Sequence, residues 1–139
     1  MGRILAIDLG KKRTGLAVTD PLQMIANPLD YVATSELFPY LKAYTMREPV
    51  EIFVVGIPVD LNSQHNEMTE PAKSLAEKLK SMFPSSKIIT HDERFTSKMA
   101  LQSMITGGTR KSQRREKGNI DKISATIILQ SYLESVNKA

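Results

Sequence analysis

The sequence predicts an α/β fold in which a mixed five-stranded sheet begins with an antiparallel three-strand meander and carries helices on both faces. Two apolar runs, at residues 4–9 and 14–19, are separated by the polar segment Gly10-Lys11-Lys12-Arg13, which is typical of a hairpin. Residues 51–57 (EIFVVGI) are almost continuously apolar, as in a buried parallel strand. Because helical and strand patterns alternate after the meander, crossover helices should cover both faces of the sheet.

Turn and capping signals predict the next elements. A third strand is expected at residues 31–34, and Ser35 is the expected N-cap of a helix that ends near residue 47. A helix over residues 70–83 ends before Pro84, and a short strand at residues 87–90 follows it.

Two helices are predicted in the last third of the chain. The first begins at Thr96 or Ser97 and ends at Gly107-Gly108. Asn119 is the expected N-cap of the last helix, which reaches about residue 136. Its packing stripe is predicted to consist of Ala125, Leu129, Tyr132 and Val136.

Length and composition limit the class of protein. With 139 residues, the chain is expected to form one domain over residues 1–139. It contains no cysteine, which excludes disulfides, thiolate metal sites and cysteine nucleophiles and fits a cytoplasmic location. No apolar run approaches the roughly 18 to 20 residues that span a bilayer, so no membrane partner is expected.

The positive charge of the chain is concentrated in one short segment. Residues 110–118 contain five basic residues and one acidic residue and therefore carry the whole net charge of +4. Such a cluster is a candidate contact for a phosphate backbone, although a solvated loop kept soluble by its charge has the same composition. The five candidate residues are Arg110, Lys111, Arg114, Arg115 and Lys117.

Two carboxylates follow predicted buried strands. Asp8 ends an apolar strand, where a carboxylate requires a cation, hydrogen-bond donors or a metal; the alternative is a turn-capping aspartate that accepts amide protons. Glu93 follows the strand near residue 90, and ligands gather beyond the carboxyl ends of parallel strands. The alternative for Glu93 is a surface acidic pair with Asp92 that Arg94 neutralises.

A third carboxylate, Asp121, lies one turn before Ala125 on the predicted packing stripe of the last helix. Its side chain should therefore point toward the sheet. A first-turn carboxylate is also favoured by the helix dipole, but the dipole alone does not require a place on the buried stripe.

Asp8, Glu93 and Asp121 would repel one another at one edge of the sheet unless divalent cations lay among them. Oxygen-only ligands favour a hard ion, so Mg²⁺ is expected, with Mn²⁺ as a substitute. Two such ions about 4 Å apart activate water and stabilise the leaving oxygen in phosphodiester hydrolysis. The carboxylates and the basic segment together predict a nuclease.

Four linked motifs resemble those of the YqgF family, whose members are described as pre-16S rRNA nucleases or Holliday junction resolvase-like proteins. The motifs cover nearly the whole chain in the expected order. They are Asp8-x-Gly10-x-x-Arg13-x-Gly15-x-Ala17, Val55-Gly56-Ile57-Pro58, Asp92-Glu93-Arg94, and Asp121-Lys122-Ile123 running into Ile128-Leu129-Gln130-x-Tyr132-Leu133. Two departures are that residues 60–65 lack the glycine common after the second motif, and that Ser124 replaces a common alanine.

The resemblance implies an RNase H-like nuclease domain that matures the 5′ end of 16S rRNA, with Asp8, Glu93 and Asp121 as catalytic residues and metal ligands. Arg13, Arg94 and Lys122 are further candidates for nucleic-acid contacts, although Arg94 has the alternative of pairing with Asp92, and a solvated lysine is the simpler reading of Lys122. His91 is interpreted as a structural histidine rather than a proton carrier.

Two other functions remain open. The same chemistry on branched DNA would make the chain a Holliday junction resolvase-type endonuclease, for which a symmetric dimer is the usual arrangement. A binding module that cleaves nothing is the third hypothesis. The expected partners are structured RNA or branched DNA and the assembling small ribosomal subunit, with the chain acting as a monomer or a homodimer.

Overall fold

A five-stranded mixed sheet organises the chain in the computed structural model, which describes residues 2–58, 67–92 and 117–137. Within the last range, side chains are described for residues 123–136. The strands are β1 (Arg3–Asp8), β2 (Arg13–Thr19), β3 (Ala26–Ala33), β4 (Val50–Ile57) and β5 (Lys87–Asp92).

The strand order is β3-β2-β1-β4-β5. The first three strands form an antiparallel meander, whereas β4 runs parallel to β1 and β5 runs parallel to β4. This arrangement confirms the predicted mixed sheet and its three-strand meander. Parallel pairing requires crossover connections, and helices supply them in this chain.

The helices are α1 (Leu37–Arg47), α2 (Thr69–Met82) and α3 (Lys117–Asn137), and a 3₁₀ turn at Thr34–Glu36 precedes α1. Within the described ranges, none of these helices is long and apolar enough to cross a membrane.

Strand alternation divides the core into two layers. Successive side chains of a strand point to opposite faces, so Leu5 and Ile7 of β1 pack toward α1 and α2, whereas Ile4 and Ala6 pack toward α3. The larger layer is centred on Phe53, which stacks on Phe83 with ring centroids 4.9 Å apart. Helices therefore cover both faces, as the sequence predicts.

Four local predictions were wrong. β3 begins at Ala26 rather than residue 31, and Ser35 does not cap α1, because the 3₁₀ turn places Glu36 at the N-cap position. The last helix begins at Lys117, so Asn119 is an internal residue rather than its N-cap. In the predicted stripe of that helix, Ala125, Leu129 and Tyr132 are buried, but Val136 is 45% exposed. The predicted helix beginning at 96 or 97 lies outside the described residues.

Asp20 organises the loop between β2 and β3. Its Oδ1 accepts hydrogen bonds from the backbone amides of Met24 and Ile25, both at 2.9 Å, and its Oδ2 accepts one from Leu22 at 3.1 Å. These backbone donors, with that of Ile25 the strongest, hold the pKa of Asp20 below its usual value of 3.8. The folded loop therefore favours the ionised carboxylate.

The lowered pKa gives a pH-dependent prediction. A carboxylate with a depressed pKa stabilises the fold above its unfolded pKa, and the contribution is lost as the pH falls through the folded pKa. Asp20→Asn should therefore lower the free energy of unfolding at pH 7, and the difference from wild type should shrink as the pH falls below 3.8. Urea unfolding at a series of pH values measures this difference.

Asp30→Asn is the matched control, because the Asp30 carboxylate accepts one backbone hydrogen bond, from Tyr31 at 2.8 Å, and one from the Tyr40 hydroxyl, instead of three from the backbone. Its effect on unfolding should be smaller than that of Asp20→Asn. A destabilisation by Asp20→Asn that is the same at neutral and acidic pH would contradict the proposed role of the charge.

Candidate functional site

One edge of the sheet contains two of the predicted site residues, Asp8 and Arg13. The parallel strands β1, β4 and β5 all end there, and β2 begins there because it is antiparallel to β1. Asp8, the last residue of β1, pairs with Gly15 of β2, two residues after Arg13. Asp92, the last residue of β5, pairs with Ile57 at the end of β4.

Asp8 lies on the face of the sheet against which α3 packs. Alternate residues of a strand point to the same face, so Asp8 shares a face with Ile4 and Ala6, which contact the apolar residues of α3. The side chain is half-buried. The sequence-based expectation that Asp8 ends a buried strand is confirmed, and its face is the one that bears the helix containing Asp121.

A row of four residues crosses the sheet at the level of Asp8. Asp8 pairs with Gly15 on one side, and the β4 residue beyond the Ile7–Val55 pair is Gly56, which pairs with His91. By strand parity the row faces α3, because the neighbouring Ala17, Val54 and Ile89 pack on that side. Both positions flanking Asp8 in the row are glycines and contribute no side chain. Asp8 is therefore the one carboxylate in this row, and the residues on both sides of it have no side chain.

The turn between β1 and β2 is held by Thr34. The Thr34 hydroxyl donates to the Gly10 carbonyl at 2.7 Å, and the Thr34 amide donates to the Lys12 carbonyl at 2.9 Å. Gly10 is required by close approach of the backbone, since a Cβ there would lie 2.3 Å from the Arg13 carbonyl oxygen. The tight turn fixes Arg13 close to Asp8 along the edge.

Lys11 and Lys12 are exposed on this turn. Lys11 pairs with Glu67 at 2.8 Å, but both side chains are more than two-thirds exposed, so the pair contributes little to stability. From the sequence, both lysines are expected only as turn residues. Their position beside Asp8 adds positive charge to the edge, and the run of basic residues at 11–13 was the available signal.

His91 joins the edge strand β5 to α3. Its Nε2 shares a hydrogen bond of 2.9 Å with the Ser131 hydroxyl, and the Tyr132 ring meets its ring edge-on with centroids 6.4 Å apart. Burial lowers the pKa of His91 against an opposing effect of the Asp92 carboxylate, so the surroundings favour the neutral ring. Strand spacing places the Cα atoms of His91 and Asp8, two strands apart, roughly 10 Å from each other.

The remaining predicted site residues are only partly described. Lys117, Asp121 and Lys122 belong to the first turns of α3, where the structure describes the backbone alone. The part of the chain that is described contains no group of three potential metal ligands. The predicted residues that lie outside the described ranges are Glu93, Arg94, Arg110, Lys111, Arg114 and Arg115.

Comparison with solved structures identifies the fold. RuvC of T. thermophilus, solved in complex with a Holliday junction substrate, superposes with a TM-score of 0.59 over 99% of this chain and 96% of that chain. The two sequences are 14% identical, so this similarity concerns the fold alone. It confirms the predicted RNase H-like architecture.

Comparison with curated sequences gives close relatives over almost their full length. A protein of Amoebophilus asiaticus named "Putative pre-16S rRNA nuclease" is 49% identical over 99% of this chain and 98% of its own length. Proteins of the same name from Parabacteroides distasonis and Porphyromonas gingivalis are also 49% identical, over 97% and 99% of this chain and 96% and 100% of their own lengths.

The family model described as "RuvX: Holliday junction resolvase" matches residues 2–135. The names of the family and of the relatives describe nucleases, which are hydrolases of phosphodiester bonds. The match confirms the resemblance that the four sequence motifs indicate. With that match and with relatives at 49% identity, this chain belongs to the RuvX family, also called YqgF.

Proposed function

We propose that this chain is a metal-dependent nuclease that hydrolyses phosphodiester bonds and processes the 5′ end of precursor 16S rRNA. The observation that carries the proposal is the placement of Asp8 on the α3 face of the sheet, at the edge where β1, β4 and β5 end. Asp121 belongs to the helix that packs on this face, and Glu93 follows Asp92 in the sequence. We assign these three carboxylates as catalytic residues and metal ligands.

The donor set fits a hard divalent cation. The chain has no cysteine, and the three assigned ligands are carboxylates, whose oxygens favour a hard cation. We propose Mg²⁺ as the ion, with Mn²⁺ as a functional substitute. The bound ions would supply an activated water and neutralise the charge that develops on the phosphate. Gly15 and Gly56 on either side of Asp8 contribute no side chain that would compete with Asp8 for an ion.

Positive charge would hold the substrate at this edge. Arg13 lies at the start of β2, close to Asp8. In the sequence, the basic residues of 110–115 precede α3, and Lys117 is the first residue of α3. We propose that Arg13, Arg94, Lys122 and the five basic residues of 110–117 contact the phosphate backbone. We further propose that residues 1–139 act as one domain in the cytoplasm, on RNA of the assembling small ribosomal subunit.

A second candidate substrate is branched DNA, because the matching family is described as Holliday junction resolvases. The site chemistry would be the same, but paired cuts on a four-way junction normally require two sites in a symmetric dimer. RNA is the preferred proposal because relatives at 49% identity carry the name of an rRNA nuclease.

Side-by-side cleavage of labelled precursor 16S RNA and a synthetic four-way DNA junction tests the proposal. Each substrate is incubated with Mg²⁺, Mn²⁺ or EDTA. Metal-dependent cleavage of the RNA supports the proposed function, and cleavage of the junction alone would replace it with the resolvase function. Binding of either substrate without cleavage in any metal would indicate a nucleic-acid-binding module.

A further inference from the structure

A cavity of about 270 Å³ lies on the other face of the same sheet edge, between α1 and α2. Its apolar wall comes from Leu9, Leu37 and Leu75, and Phe38 adds an aromatic ring. Two polar side chains of α2, those of Ser74 and Lys78, also line the cavity.

The cavity lies next to the candidate nuclease site. Leu9 directly follows Asp8 in the chain, so the two residues lie on opposite faces at the end of β1. Thr34, which also lines the cavity, holds the turn that bears the exposed Lys11 and Lys12. A strand of nucleic acid whose phosphate lies at Asp8 would reach the cavity by crossing the edge of the sheet.

The lining combines the features that bind a nucleobase. The Lys78 ammonium lies 5.8 Å from the centroid of the Phe38 ring, so an aromatic surface and a cation meet at the cavity. Aromatic side chains stack on bases without regard to sequence, and lysines bind the adjacent phosphates. The volume is below the roughly 300–1,000 Å³ of pockets for drug-sized ligands, which suits one planar base rather than a whole nucleotide.

We propose that this cavity binds the base of an unpaired nucleotide that neighbours the cleaved phosphodiester in the substrate strand. The proposal rests on the proposed nuclease function, and it adds a substrate requirement. A base held in a duplex is stacked and paired and does not enter a cavity, so the enzyme would select strands with an unpaired nucleotide at this position.

A second groove on the molecule has different properties. It has a volume of about 380 Å³ and is lined by residues that include Ala26, Leu133 and Glu134. Ala26 pairs with Thr19, at the sheet edge opposite to Asp8, and the charged residue in the lining is acidic. Both features disfavour a nucleic acid there, so the cavity at Leu9 is the one assigned to the base.

Ser74→Trp tests the assignment by filling the cavity from an exposed position on α2. Ser81→Trp is its matched control, because Ser81 is an exposed serine two turns further along the same helix and does not line the cavity. The probe is a short single-stranded RNA with one 2-aminopurine, alone or annealed to its complement. Binding is followed by fluorescence in EDTA, so the result does not depend on cleavage.

Wild type and Ser81→Trp should bind the single strand with a change in 2-aminopurine fluorescence, and the duplex should produce no such change. Ser74→Trp should remove the change and weaken binding of the single strand by roughly 5- to 150-fold, the range for loss of one stacked base. Thermal unfolding of both variants shows whether each is folded. Equal binding by Ser74→Trp and wild type would overturn the proposal.

Lys78→Ala, with the neighbouring Lys80→Ala as control, keeps the test decisive if Ser74→Trp fails to fold. Lys78→Ala should reduce the slope of log affinity against log salt by about 0.7, the contribution of one phosphate contact on a single strand. Lys80→Ala should leave the slope unchanged. Identical slopes and fluorescence for the two lysine variants would overturn the proposal. If the wild-type protein binds the base but cleaves no substrate, the nuclease function is refuted and the assignment of the cavity to a base remains.

Discussion

Asp8→Asn is expected to reduce metal-dependent cleavage by more than about 100-fold while leaving binding of the substrate largely intact. Loss of a group that only supports a metal ligand typically costs roughly 10- to 100-fold, so neutralising a ligand itself should cost more. Asparagine has the same shape as aspartate and keeps one oxygen, but it lacks the charge that holds a divalent cation. Single-turnover cleavage at saturating Mg²⁺ measures the loss, and calorimetric titration with Mn²⁺ measures the metal affinity.

The same substitution should leave stability unchanged or raise it in the absence of metal. In the proposed site three carboxylates lie together and repel one another, so removal of one charge should relieve the repulsion when no cation is present. Thermal unfolding in EDTA measures this effect. A large fall in the melting temperature would mean that Asp8 supports the fold, and its loss of activity would then say little about chemistry.

Asp92→Asn is the matched control for Asp8→Asn. Asp92 also ends a parallel strand at this edge. It lies on the opposite face, however, because it alternates in phase with Ile88, which packs toward α1 and α2. It should therefore retain cleavage and Mn²⁺ binding near wild-type levels. An equal loss of cleavage in the two variants would show that loss of either negative charge at this edge is harmful, whichever face it lies on. Normal cleavage by Asp8→Asn would remove Asp8 from the proposed site.

Apolar patterning was sufficient to predict the sheet but not all of its boundaries. β1, β2 and β4 are buried strands, and continuous apolar runs identify them. The start of β3 was missed because Pro28 and Asp30 are unusual in strands. β3 is an edge strand, where proline removes no obligatory hydrogen bond, and the pairing with β2 shifts register beside Pro28.

Errors in the helices have a related cause. Ser35 has the residue type of an N-cap, but it belongs to the 3₁₀ turn Thr34–Glu36, in which the Thr34 hydroxyl donates to Gly10 and Glu36 takes the N-cap position of α1. Periodicity identified the buried face of α3 through Ala125 and Leu129 but did not indicate that burial ends before Val136. Both outcomes depend on tertiary contacts, which a local pattern does not contain.

The candidate site was predictable where it depends on strand ends and unpredictable where it depends on register. The apolar residues 4–7 indicated that Asp8 ends a buried strand, and β1 does end at Asp8. The row Gly15-Asp8-Gly56-His91 required the pairing of four strands, and the hydrogen bond between His91 and Ser131 required the position of α3. The motifs contained both glycines, but only the register places them on either side of Asp8.

Neutralising the five basic residues of the segment 110–117 to glutamine should weaken binding of nucleic acid and flatten its salt dependence. Each phosphate contact contributes a slope of about 0.7 for single strands and about 0.9 for duplex DNA in log affinity against log salt. If all five residues contact phosphates of a single strand, the slope should therefore fall by about 3.5. Fluorescence anisotropy with labelled precursor RNA over a series of salt concentrations measures it. The variant changes Arg110, Lys111, Arg114, Arg115 and Lys117.

A second variant with the same change in charge separates a local contact from an effect of net charge. It neutralises five exposed basic residues elsewhere in the chain: Lys42, Arg47, Lys73, Lys80 and Lys87. Both variants lower the formal net charge from +4 to −1, but only the first removes the concentrated charge of one segment. The first should raise KM and leave kcat near wild type, because the proposed function assigns the chemistry to the carboxylates and the metal rather than to this segment. Equal changes in slope for the two variants would mean that binding follows overall charge, and the segment would lose its assignment as the substrate contact.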